Sequence, residues 1–180
     1  MEKYERVLKK LSERSFEKFG LPPTVSEIYL NCVHGNLPYP FAKALLASID
    51  VPEEDVKRIL SERKTAHYLF DEDIAEIPLK ENEFVIRDNS FSKSGIPVGS
   101  VVCYDPQSIS SVGLMALEFT GIIFPAYVSP KEDGMVKLIF LSDSFADLMI
   151  PSDLLVVKGN LSAYRLPGED ETLAIKPFII

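Results

Sequence analysis

The chain has no tryptophan, two cysteines and two histidines in 180 residues, and each scarcity excludes something. Cys32 and Cys103 stand alone, outside any CxxC pair, and with only His34 and His67 beside them the ligand spacing of a zinc site is missing. Both thiols are expected to be reduced and buried. Neither histidine has a serine or cysteine at a recognisable catalytic spacing. Asp71, Glu72 and Asp73 form an acidic run without the glycine and terminal glutamate of a calcium loop, so no metal and no cofactor is expected. There is no apolar run of about 18 residues and no basic, apolar, small-residue leader, and the expectation is a cytoplasmic protein without a membrane contact. Internal repeats and low-complexity segments are absent from the sequence.

What is present is unevenly charged. The net charge of −8 averages two unlike parts, because residues 1–67 carry 11 Lys and Arg against 10 Asp and Glu, while residues 68–180 carry 8 against 17. The asymmetry suggests two regions with different partners.

The first region reads as helical. Tyr4, Val7, Leu8 and Leu11 recur at the spacing of one helix face, and Gly20 with Pro22-Pro23 ends what runs through Phe16 and Phe19. Thr24 with Glu27 three residues later has the spacing of a capping box, which starts a helix expected to end by Gly35. Asn36 to Pro40 reads as a turn, and Phe41, Ala44, Leu45, Ser48 and Ile49 as an amphipathic helix. Val51-Pro52-Glu53-Glu54-Asp55 opens a last helix, with Lys57, Arg58, Arg63 and Lys64 towards its end, as the helix dipole favours. Thr65 to Glu83 is acidic yet contains Tyr68-Leu69-Phe70 and Ile74, too apolar for a free tether, so this linker should dock on a neighbour.

From Phe84 the period becomes that of strands. Phe84 to Arg87, Ser100 to Tyr104, Leu114 to Phe119, Ile122 to Tyr127, Met135 to Leu141, Leu154 to Lys158 and Leu161 to Leu166 are short, apolar-rich and bounded by Gly, Pro, Asp or Ser. The fold class expected is α+β: a small helical bundle over residues 1–64, a linker over 65–83, and a mostly antiparallel all-β domain over 84–180. The tail Leu173 to Ile180 is strongly apolar for a terminus. It should be covered by its own domain or by a second copy of the chain.

Within the β region, Asp88-Asn89-Ser90-Phe91 puts a hydroxyl at a turn after an apolar run, either a nucleophile position or an ordinary turn residue. Pro97-Val98-Gly99, the strand Val101 to Tyr104, Asp105-Pro106, Met149-Ile150-Pro151 and Leu154 to Gly159 follow in order. Over residues 80–167 this order resembles the carboxy-terminal domain of LexA and the lambdoid phage repressors. In that family a serine cuts the linker of its own chain with a neutral lysine as base. The resemblance places the nucleophile at Ser90 and the base in the segment Gly121 to Val128, where Pro125 and Ala126 stand instead, so the base is lost at Ala126. Lys131, beside Glu132 and Asp133 in a hairpin turn, and Lys137, on a face with Met135 and Ile139, are the two lysines that could replace it. The family's Ala-Gly or Cys-Gly cleavage pair has no counterpart between Thr65 and Glu83, and the expectation is a non-cleaving relative.

The order of the first region resembles the helix-turn-helix domain of the Cro and phage-repressor type, with Thr24 to Gly35 as the recognition helix. The segment Ser15 to Leu21 is several residues shorter than the family's preceding helix. The resemblance implies double-stranded DNA as partner, with Thr24, Ser26, Glu27, Tyr29 and Asn31 at the bases and Lys43 among the basic contributors. The same side chains are also what a small bundle simply exposes, and the helix carries no Arg or Lys. A repressor reading two half-sites implies a homodimer through the β domain. The alternatives are a regulator that has lost DNA binding and engages another regulatory protein, and a self-cleaving Ser/Lys peptidase-type repressor.

Overall fold

The structure is a computed structural model, and it describes residues 38–48, 52–61, 69–119, 121–145 and 147–176. The Tyr4 to Leu11 stretch and the capped segment from Thr24 to Gly35 lie outside the described residues. The described part is β-rich α+β: three α-helices, two 3-10 helices and one eight-stranded sheet in which every pairing is antiparallel.

Helix α1 spans Tyr39–Ser48 and α2 spans Glu53–Ser61. Of the turn expected over Asn36 to Pro40, Asn36 and Leu37 lie outside the described residues, and Tyr39 and Pro40 are in the first turn of α1, where a proline loses nothing because its missing N–H has no intrahelical acceptor. Helix α2 opens as its sequence implies: Pro52 O accepts from Asp55 N and Val56 N, and Glu53, Glu54 and Asp55 fill the first turn. It buries Val56, Ile59 and Leu60. A four-residue helix α3, Asp71–Ile74, lies in the acidic linker, its start held by the Asp73 carboxylate accepting from Phe70 N at 2.8 Å.

The strands are β1 Glu83–Val85, β2 Val101–Asp105, β3 Gly113–Phe119, β4 Ile122–Pro130, β5 Met135–Ile139, β6 Leu148–Pro151, β7 Val156–Arg165 and β8 Leu173–Ala174. Their order in the sheet is β1-β2-β7-β3-β4-β5-β6, with β8 also on β7. Two expected strands, Leu154 to Lys158 and Leu161 to Leu166, are one. Gly159 does not break β7; it lets β7 pass β2, since a Cβ there would stand 2.2 Å from the Asp105 carbonyl oxygen. Strand β6 holds the Met149-Ile150-Pro151 motif and pairs with β5. Pro125 fits inside β4 because β5 begins to pair only at Tyr127, beyond the proline.

One buried cluster joins the helices to the sheet: Tyr39, Phe41 and Leu46 of α1 and Ile59 and Leu60 of α2 pack with Leu117, Phe124 and Leu138. Phe41 stacks on Phe119 at 5.4 Å and meets Phe124 edge-on at 5.8 Å. Across the expected boundary at residue 64, residues on both sides therefore contribute to the same core. A second cluster, with Phe84, Ile86, Phe91, Val102 and Leu141, surrounds the turn that carries Ser90. The described start of the tail, Leu173–Ala174, pairs with Ala163 and Tyr164 of its own chain. No helix among the described residues is long and apolar enough to cross a membrane. Cys103 is half-buried and free rather than fully buried, its Sγ 3.8 Å from the Tyr104 carbonyl oxygen; Cys32 lies outside the described residues.

Candidate functional site

Three residues after β1 the chain enters a turn that Asp88 caps. Its extended backbone and buried carboxylate cap a 3-10 helix over Asn89–Ser94, with Oδ1 accepting from Ser90 N at 2.9 Å. Its other oxygen, Oδ2, accepts from Tyr39 N at the start of α1. Asp88 is 2% exposed, so one carboxylate orders both the turn of Ser90 and the entry of α1. Gly95 closes the 3-10 helix in the left-handed region, its N–H donating to Ser92 O.

The turn is tied down on a second side. Lys93 N donates to Leu141 O at 2.7 Å, the Lys93 ammonium meets Asp143 at 2.6 Å, and Asn89 Nδ2 donates to Ser144 Oγ at 3.0 Å. Ser90 inside this frame is 2% exposed. The turn lies beside β4, the strand that carries Pro125 and Ala126. Ala126 is buried in the cluster shared with α1, while Pro125 is level with Ala116 of the second cluster, as strand alternation requires.

The two substitute lysines stand elsewhere. Lys131 is exposed in the β4–β5 hairpin, where its N–H donates to Met135 O. Lys137 lies on β5 opposite Ser129 and Met149, with its ammonium 3.1 Å from Asp147. Its ammonium is thus engaged with a carboxylate at a partly exposed position, not with the buried Ser90. Among the described residues no group of three or more His, Cys, Asp or Glu could hold a metal ion.

Of the DNA-contact candidates, Thr24, Ser26, Glu27, Tyr29 and Asn31 lie outside the described residues. Lys43 is on α1, half-buried, and donates to Asp71 of α3 at 3.0 Å. Asp71 also accepts from the Arg87 guanidinium, which holds its carboxyl below the usual range with help from Lys43, against the opposing effect of burial. Beside it Lys57 and Glu72 pair, and Phe70 meets Tyr39 edge-on at 5.8 Å. Leu69 N donates to Arg87 O at 2.8 Å. The described part of the linker is thereby packed against α1, α2 and the segment after β1.

No sequence signal announced Asp88 as a double cap, because Tyr39 is 49 positions away. An aspartate two residues before the serine was the only visible hint. No protein-family model matches the chain, and no curated protein matches it.

Proposed function

We propose that the chain is a repressor-like, DNA-binding transcriptional regulator of the LexA and phage-repressor type, working in the cytoplasm, whose β domain serves dimerisation and has lost its peptidase. The observation that carries the non-cleaving part is the surrounding of Ser90. The hydroxyl-bearing residue is buried, its turn is bonded to the 141–144 loop, and the neighbouring strand carries Pro125, not an amine, on the face level with the second cluster, Ala126 lying on the other face. A serine without a base and without access for a peptide is a poor nucleophile. Self-cleavage through Lys131 or Lys137 requires either amine to leave its present position.

The DNA part rests on the helix-turn-helix resemblance of residues 1–64, with Thr24, Ser26, Tyr29 and Asn31 choosing bases and Glu27 flanking them. Two measurements test the reading. Duplex binding should weaken steeply with salt, since neutralised phosphates release counterions, and alanine at a base-reading position should cost about 1–3 kcal/mol. The intact mass should not change during long incubation at alkaline pH. Two fragments meeting between Thr65 and Glu83, abolished by Ser90→Ala, would reinstate the peptidase.

One observation favours the second reading, a module that binds another regulatory protein: Lys43, a basic contributor in the DNA scheme, is engaged with Asp71. Full-length protein that binds no duplex at low salt would make that reading the better one.

A further inference from the structure

A half-open cavity of about 340 Å³ lies between α1, the α3 linker, β1 and the β3–β4 turn. Its lining includes the apolar Ile74, Leu79, Phe84, Ile122 and Ile123. Leu79 is 46% exposed there, one of few large apolar side chains that the described residues leave to water. The charged groups lining it are Lys43, Arg87 and Asp71. Asp71 accepts one hydrogen bond from each cation, which leaves the site with one surplus positive charge in a protein of net charge −8. It also leaves most N–H groups of the ammonium and the guanidinium for another acceptor, because the first offers three donors and the second a fork of five. Both cations keep part of their side chains exposed, 21% for Lys43 and 22% for Arg87, so a ligand can reach them. The Arg87 guanidinium sits 6.0 Å from the Tyr39 ring, which limits its swing. The adjoining hollow, with Phe70, Lys57 and Glu72 in its lining, has more carboxylates than cations around it and is only about 40 Å³, too small for more than water.

From this we infer that the cavity is a binding site for a monocarboxylate with an apolar tail, the carboxylate on Arg87 and Lys43 and the tail against Leu79 and Ile122. The volume falls in the range of small-molecule sites, whose walls are apolar and whose few polar groups fix orientation. A planar carboxylate suits the guanidinium fork, and a monoanion neutralises the surplus charge, whereas a dianion would overshoot it. A cation with the same tail would meet two like charges. Occupancy would bridge the linker to α1 and the sheet, making this a place where a small acid sets how firmly the linker docks. The inference is independent of whether residues 1–64 bind DNA.

The test is calorimetric titration of the full chain with octanoate, below the concentration at which it forms micelles, with octylamine and acetate as controls. Octanoate is expected to bind saturably at one site per chain, with octylamine and acetate at least about tenfold weaker. Arg87→Gln should weaken octanoate by at least about tenfold. Leu79→Ser, a change at a half-exposed side chain that leaves the fold intact, should weaken it several-fold. Lys57→Gln, outside the cavity, should leave it unchanged. Equal affinity for octylamine, non-saturable uptake, or octanoate binding indifferent to both Arg87→Gln and Leu79→Ser would each overturn the inference.

Discussion

Two carboxylates reach helix α1, and they do so in opposite ways. Asp88 is buried and takes backbone N–H groups, from Tyr39 at the helix start and from Ser90 in the next turn. Asp71 leaves over half of its side chain in water and takes the ends of two long cations, Lys43 and Arg87. Water can replace the second set of bonds when they break, but it does not reach the first. A buried donor left without an acceptor costs its full desolvation, while an exposed ion pair returns most of what it lost to solvent. The difference makes the turn of Ser90 a fixed part of the core and the linker a detachable one.

The comparison breaks most visibly at Asp88. Asp88→Ala strands two N–H groups and should cost about 2–4 kcal/mol in urea denaturation. Asp88→Asn keeps one acceptor oxygen and should lose roughly half of that. A loss below about 1 kcal/mol for the alanine variant would mean that water enters and that the two carboxylates are alike after all. Phe70→Ala comes next, at about 1–2 kcal/mol, since the ring is only partly buried against the helix–sheet cluster and beneath the Lys57 ammonium. Its signature should be local: faster proteolysis within residues 69–83 and little change in the sheet.

Asp71→Ala sharpens the contrast from the other side. It should cost less than about 1 kcal/mol, and the loss should shrink further in high salt, because both partners are partly exposed. A salt-independent loss comparable to that of Asp88→Ala would show that the linker is locked rather than docked.

Period and punctuation made most of the strands legible, because a half-buried antiparallel strand writes its alternation into its own residues. Met135 to Ile139 shows it only in part, with Leu138 the one buried position and its neighbours Lys137 and Ile139 half-buried. Gly159 misled for a physical reason: a glycine that ends a strand and one that makes room for a crossing backbone look identical until the carbonyl of Asp105 is seen. Strand β8 is two residues long, and its pairing with Ala163 and Tyr164 is set by tertiary contact. The site was legible only in its local part. Asp88-Asn89-Ser90 reads as a turn from its composition, but the bond to Tyr39, like the meeting of Lys43, Asp71 and Arg87, joins segments whose separation carries no pattern. The exposure of the linker's acids was readable, whereas their partners were not. Thr24 to Asn31 stand outside this comparison, since the described residues begin at Pro38.

The smallest expected effect is the response to acid. Asp71 is held below the ordinary carboxylate range chiefly by the hydrogen bond from Arg87, with Lys43 adding to it against burial. Glu83 is also low: burial pushes its carboxyl up, but the Lys80 N–H and the Arg165 guanidinium outweigh that. A depressed folded pKa contributes stability above the ordinary carboxylate value, near pH 4, and the contribution is lost as pH falls through the folded value. Docking of the linker should then be flat from neutrality to about pH 4 and weaken below it. The amide resonance of Leu69, which donates to Arg87 O at 2.8 Å, is the reporter nearest to Asp71's own partner. It should hold its position down to that pH and move below it, and in Asp71→Asn the movement should shrink to what Glu72, held low by the Lys57 hydrogen bond, and Glu83 supply. The amide of Ser90, in the core turn rather than the linker, is the second reporter. If both amides shift together, the turn and the linker open as one unit; if Leu69 moves alone, the linker detaches from a turn that stays folded.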